Sequence, residues 1–260
     1  MQAANLCKRV GTAGWSIPAA VRDEFLAAGS LLERYATRFS CVEINSSFYR
    51  SHRPATYERW ASAVPSTFSF AVKMPKAIRH ELRLVNVIEP LERFLYESSA
   101  LGPKRGVVLI QLPPSLAYDA PVLADFLHLL RLRYAGSIAL EPRHISWLVS
   151  AADEMLRAFG VARLAADPAL PGLDEPGGDP SFRYFRWHGS PRRYYDEYGE
   201  ERLGMMAQVA SPDTPAWFIF DNTAAGAATT DALRFQELIA TDGAARESCR
   251  KFAAEDETLR

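Results

Sequence analysis

The strongest constraint on this chain is a rhythm. Short apolar runs suited to buried strands alternate with helix-like segments, eight times from VGTAG at 10–14 to AWFIFDN at 216–222. Strands that are apolar over most of their length need both faces covered, which favours parallel strands with helical, right-handed crossovers. Eight such units are the number that closes a (β/α)8 barrel, so the expected fold is α/β, a TIM-type barrel in one domain. A doubly wound open sheet is the alternative. No GxGxxG or GxxxxGK[ST] follows the first strand, so the phosphate cradle of a nucleotide-binding sheet is missing.

Between the first and last runs come CVEIN at 41–45, FSFAVK at 68–73, GVVLIQLPPS at 106–115, SIALEPRH at 137–144, VARLAAD at 161–167 and SFRYFRWHG at 181–189. Helical patterns are expected near 31–39, 54–64, 88–101, 121–133, 151–159 and 230–240, with Pro54 fitting a first helical turn. PALPGLDEPGGDP at 168–180 holds too much proline and glycine for a helix and is expected to be an irregular sixth crossover. A polar tail is expected over about 241–260 of this 260-residue chain.

Several strands end in a charged or amide side chain. Alternation places Val42 and Ile44 against helices and turns Cys41, Glu43 and Asn45 the other way. The same parity turns Glu141 and Arg143, then Arg186 and His188, inward, with Lys73, Gln111 and Asp167 expected beside them. Isolated charges buried in a barrel cost several kcal/mol, so these groups are expected to cluster at the open mouth and pair.

Composition bounds the partners. Lys and Arg number 30 against 31 Asp and Glu, so no global field favours nucleic acid or an anionic membrane. No apolar stretch reaches the roughly 20 residues of a membrane span, and MQAANLCKRV lacks the apolar centre of a secretory signal. A cytoplasmic protein is expected. Cys7, Cys41 and Cys249 are odd in number and scattered, which argues against a disulfide framework and a structural zinc site.

GTAGWSIP at 11–18, VEINSSFYR at 42–50, FAVKMPKAIRH at 70–80, QLPPS at 111–115, ALEPRHISW at 139–147, RWHGS at 186–190 and FDNTAAGAATTDALRFQEL at 220–238 together resemble the YecE-like family, domain of unknown function 72 (DUF72). The resemblance runs over nearly the whole chain. It implies a TIM-type barrel with a loose kinship to sugar isomerases, and brings no established reaction. The chain departs from the family's paired asparagines after the last strand with Asp221 and Asn222.

Two carboxylates facing one cavity, Glu43 and Glu141, can act as acid and base if their surroundings separate their pKa values; structural pairing with Lys73, Arg143 or Arg186 is the competing reading. Lys73 and His188 complete the candidate catalytic set. Lys73 also admits a Schiff-base role, although a charged-partner role is favoured. Candidate substrate-binding residues are Trp15, Asn45, Tyr49, Gln111, Arg143, Asp167, Arg186, Asp221 and Asn222, with Trp15 and Tyr49 as stacking surfaces and Gln111 as an orienter.

Glu43, Glu141, Asp167 and His188 could ligate a divalent metal, but the cations at the same mouth make a metal-free anion site the preferred reading, and no cofactor is assigned. Arg192, Arg193 and the DNTAAG turn, with Asn222 or Thr223 as a helix cap, lie where such barrels commonly bind phosphate. Arg50, His52, Arg53, Arg79 and His80 add a basic rim that leaves a polyanion such as nucleic acid open. The function expected is isomerisation or epimerisation of a sugar or sugar phosphate, a small and anionic substrate. The alternatives are a noncatalytic barrel that binds an anionic metabolite or nucleic acid, and a glycoside hydrolase.

Overall fold

The computed structural model describes residues 8–210 and 214–240; the expected tail at 241–260 lies outside the described residues. All eight expected strand regions form, as β1 (Lys8–Thr12), β2 (Cys41–Ile44), β3 (Ser69–Lys73), β4 (Arg105–Gln111), β5 (Ser137–Glu141), β6 (Val161–Arg163) with β7 (Ala165–Asp167), β9 (Arg183–Trp187) and β10 (Ala216–Phe220). A two-residue strand, β8 (Gly177–Gly178), lies antiparallel to β6, and every other pairing is parallel.

The helices are α1 (Leu31–Tyr35), α2 (Ser46–Tyr49), α3 (Pro54–Ser62), α4 (Ile88–Ser99), α5 (Ala120–Arg131), α6 (Ser150–Ala158) and α7 (Glu200–Gln208), followed by a helical stretch over 227–240. Local chemistry starts several of them. Ser30 and Glu33 form a reciprocal capping box on α1, and the Asp119 side chain accepts from the Val122 amide at 3.1 Å to cap α5. Leu123, Phe126, Leu127 and Leu130 then recur at helical spacing and bury one face of α5 against the sheet. No helix among the described residues is long and apolar enough to cross a membrane.

The strands divide into two sheets, ordered β2-β3-β4-β5-β6-β8 and β1-β10-β9-β7. The closed eight-stranded ring expected from the sequence is therefore not present as one continuous ladder. At one boundary β6 runs through Leu164 straight into β7, and the Leu164 amide still donates to Leu140 O at 2.9 Å.

At the other boundary β1 and β2 share one parallel bridge, Ala13 with Glu43. A side chain explains the gap below it: the Thr12 amide donates to the Tyr35 hydroxyl at 2.8 Å, and that hydroxyl donates to Cys41 O at 3.2 Å. The phenol of α1 thus stands in for part of a backbone ladder. Gly11 makes the approach possible, since a Cβ there would sit 2.2 Å from Cys41 O.

Period-two alternation sorts the core into two parts. Val42, Ile44, Phe70, Val72, Val108, Ile110, Ile138 and Leu140 pack under the helices. Cys41, Ala71, Leu109, Ala139, Leu164, Tyr184 and Ile219 form a second cluster on the opposite faces. Residues 168–180 form no helix, as expected. Where a helix would cover the outer side of β7 and β9, a cleft of about 790 Å³ remains, lined in part by Phe185, Trp187, Met205 and Met206.

Candidate functional site

The strand ends that continue the second cluster's parity carry Glu43, Lys73, Gln111, Glu141, Arg186 and Asp221. Arg186, with no exposed surface, is the hub. Its Nη2 lies 2.9 Å from Glu43 Oε1 and 2.8 Å from Asp221 Oδ2, its Nη1 donates to Glu141 Oε2 at 3.3 Å, and its Nε donates to Glu43 Oε2 at 3.1 Å. Glu43 also accepts from the Tyr184 hydroxyl at 3.0 Å. Glu141 accepts from Gln111 Nε2 at 2.8 Å and from Arg143 Nε at 2.6 Å. One planar fork on β9 thereby gathers carboxylates from both sheets.

This environment decides which groups are free to do chemistry. Burial alone would raise Glu141, but Arg143 and Arg186 outweigh it and hold the carboxyl well below the usual range. Asp221 is lowered in the same way, burial being overcome chiefly by Arg186 and His188. Burial would depress Arg186, yet Asp221, Glu43 and Glu141 hold it well above its ordinary value. Glu43 and Glu141, expected to act as acid and base, have their oxygens engaged by donors.

His188 differs. Its Nδ1 lies 3.0 Å from Asp221 Oδ2, and a carboxylate only accepts, so that nitrogen carries a proton. Nε2 has no hydrogen bond among the described residues and lies 3.6 Å from Glu141 Oε1. The ring is fully buried and sits edge-on to Tyr194, itself held at φ +72°.

Lys73 is 8% exposed and makes no hydrogen bond or ion pair with a carboxylate among the described residues; its Nζ lies 5.0 Å from the centre of the Phe48 ring. Burial, reinforced by Arg186, brings its pKa down to about 7.

The remaining candidates scatter. Asn45 donates to Asp221 Oδ1 at 3.3 Å and so joins the cluster. Asp167 does not. With Ala162, Leu164 and Ala166 turned inward, the alternation puts Asp167 on the opposite face, where its carboxylate pairs with Arg202 of α7.

Asn222 donates to Asp231 Oδ2 at 2.6 Å and to Asp196 O at 2.9 Å, so its side chain ties the loop at Asp196 to a carboxylate of the last helical stretch and does not cap it. Trp15 packs edge-on against Trp60 with centroids 5.1 Å apart, and Tyr49 is exposed beside Phe48. Arg192 lies over the Tyr195 ring at 3.7 Å and Arg193 donates to Pro168 O, so both arginines of the expected phosphate site are engaged elsewhere.

Tyr184 goes unread in the sequence, while Tyr194 reads only as a ring after the seventh strand and Arg79 only as part of a basic rim. Tyr184 shares the parity of Arg186 two residues on, a signal that alternation could have supplied. Tyr194 rests on a loop conformation with no local signature. Arg79 reads as a loop cation, yet it is wholly buried in a π-helical turn, Ala77–Glu81. The donor set expected for a divalent ion is not assembled either, because Asp167 lies apart and Glu43 and Glu141 bond to Arg186. Among the described residues no three potential ligands come together in a metal-holding arrangement.

Comparison with known proteins agrees with this architecture. The chain is 31% identical to the UPF0759 protein YecE of Escherichia coli (strain K12) over 164 residues, 61% of this chain and 58% of that protein. The match thus spans less than two thirds of the relative's length. It is 28% identical to the UPF0759 protein YunF of Bacillus subtilis (strain 168) over 111 residues, 40% of this chain and 39% of that one.

Among solved structures, a DUF72 family protein from Thermotoga maritima MSB8 superposes with a TM-score of 0.74 at 26% identity, covering 89% of this chain and 98% of that one. One from Enterococcus faecalis V583 gives 0.75 at 20% identity, over 89% and 95%. The sequence pattern of the family described as "Protein of unknown function DUF72" matches residues 9–255, and the chain belongs to that family.

Proposed function

We propose that this chain is a cytoplasmic enzyme that moves a proton on a sugar or sugar phosphate, as an isomerase or epimerase, at the mouth of a single TIM-type barrel domain whose two halves are the two sheets. The reading rests on one observation: a buried imidazole, His188, is oriented through Nδ1 by Asp221 and leaves Nε2 without a hydrogen bond.

Isomerisation requires a base beside a carbon-bound proton and donors beside the oxygen that gains charge. His188 Nε2 is the base in this scheme. Arg143, which also donates to the Tyr194 hydroxyl at 3.4 Å, is the donor that faces the developing enediolate. Glu43 and Glu141 become positioning residues that hold Arg186 and Arg143. Glu141, kept ionised, is a poor acid for cleaving a glycosidic bond, which disfavours glycoside hydrolysis.

The test is a screen of aldoses, ketoses and their phosphates for thermal stabilisation, followed by solvent deuterium exchange into any ligand found. The proposal expects deuterium uptake that falls by a factor of about 10²–10⁴ in His188→Asn while ligand affinity changes little. Tight binding without exchange, unchanged by His188→Asn, would convert the reading to a noncatalytic binding barrel.

A further inference from the structure

We infer that Lys73, Arg79 and His80 form an oxyanion subsite around the Phe48 ring, built to take the phosphate of a phosphate monoester. The inference rests on the reading of this mouth as a substrate site and adds the substrate's charged group.

The three cationic or imidazole groups come from one stretch, the end of β3 and the π-helical turn after it. Arg79 Cζ lies 4.8 Å from the Phe48 centroid, the His80 ring 5.3 Å and Lys73 Nζ 5.0 Å. Arg79 has no exposed surface. Its Nε donates to Met74 O at 2.9 Å and its Nη1 to Gln111 O, both neutral acceptors, while Nη2 has no hydrogen bond among the described residues. His80 Nε2 is likewise buried without one.

The neighbouring carboxylates cannot supply what is missing. Glu43, Glu141 and Asp221 already face Arg186, with Arg143 on Glu141 and His188 on Asp221. Three carboxylates therefore meet three guanidiniums, Arg79, Arg143 and Arg186, and the Lys73 amine, which takes up its proton only near pH 7; the positive charge that Lys73 then adds lies on the Phe48 side without a carboxylate of its own. A buried guanidinium without a counter-charge is costly, and contact with an aromatic ring returns only part of that cost. A bound anion offsets the difference.

A fork nitrogen and an ammonium supply donors from separate side chains beside the His80 ring, which suits an anion with several oxygens in different directions better than a two-oxygen carboxylate. The half-exposed Phe48 ring stands over the cations, so entry requires it to turn aside. This subsite lies after the third strand region, away from the loops where such barrels commonly hold phosphate.

Calorimetric titration with inorganic phosphate, and separately with acetate, tests it. Saturable phosphate binding at millimolar concentration is expected, weakened about tenfold or more in Arg79→Met and in Lys73→Met and retained in Phe48→Leu. His188→Asn should bind phosphate as the parent does, so loss of proton exchange with phosphate binding intact separates the two readings. Absence of phosphate binding, or unchanged binding in a folded Lys73→Met variant, overturns the inference. Acetate binding as tight as phosphate overturns the assignment of a phosphate group. If Arg79→Met fails to fold, Lys73→Met alone decides.

Discussion

Two clusters of charge lie side by side at one end of the strands and are built on opposite principles. Around Arg186, guanidinium nitrogens and carboxylate oxygens meet at hydrogen-bond distance, and Tyr184, Gln111 and Arg143 complete the set. Around Phe48, two cations and an imidazole are packed together with donors left over. The saturated cluster holds a shape and the unsaturated one holds a debt of charge. The contrast assigns positioning to the first and ligand contact to the second, although both read alike in the sequence as polar strand ends and loop cations.

The contrast can be broken most severely at its hub. Arg186 sits on β9 in one sheet and bonds to Glu43 and Glu141 at the ends of β2 and β5 in the other, so Arg186→Met leaves the buried Glu43 without a cation and takes one cationic partner each from Glu141 and Asp221. A loss of about 3–5 kcal/mol in urea unfolding is expected. A loss under about 1 kcal/mol would mean that the cluster does not hold the sheets together.

The opposite sign is expected in the unsaturated cluster. Lys73 faces Arg186 and Arg79, which depress it further, and Glu43 and Asp221, which oppose them, beside the Phe48 ring. With a folded pKa of about 7 against an ordinary 10.5, the unfolded chain holds the extra proton between those values. Parent stability therefore rises as pH goes from about 7 to 10. Lys73→Met should be more stable than the parent at pH 6, by on the order of 3 kcal/mol, with the gain fading toward pH 10. Urea midpoints at three pH values measure this, and a pH-independent loss would refute it.

A smaller effect sharpens the comparison from outside both clusters. Burial raises Asp231 to about 6 although Asn222 and the Tyr198 amide donate to it. A raised carboxylate contributes stability below its unfolded pKa and loses it as pH climbs through the folded value, here from about 4 to 6. Asp231→Asn should remove roughly 1–2 kcal/mol of that pH dependence, read from thermal midpoints at pH 4 and 6.5.

What the sequence made legible follows from period and parity. All eight strand regions, the irregular stretch 168–180 and the common face of Glu43, Lys73, Gln111, Glu141 and Arg186 come from short-range alternation, which the backbone enforces locally. Asp167 departs from the expected face because Leu164 turns inward and sets the parity of β7.

The roles of Glu43 and Glu141 could not be read the same way. Whether a carboxylate is saturated depends on where one guanidinium, 143 residues from Glu43 and 45 from Glu141, places its nitrogens. Helix α7 escaped because its GMMAQ stretch carries little amphipathic signal, and the break between β1 and β2 because a tyrosine in a helix does not announce a backbone partner.

That tyrosine has a consequence for how the molecule breathes. Between β1 and β2 the cross-strand link is carried at one point by the Tyr35 hydroxyl, so a single side-chain rotation uncouples Thr12 from Cys41. Native-state hydrogen exchange should find its lowest opening energy among the strands there. Cys41 lies at the same place, fully buried and with its thiol pushed up by burial, unreactive while the strands stay shut. Its alkylation rate is then a clock for that local opening, and Tyr35→Phe should make it run faster.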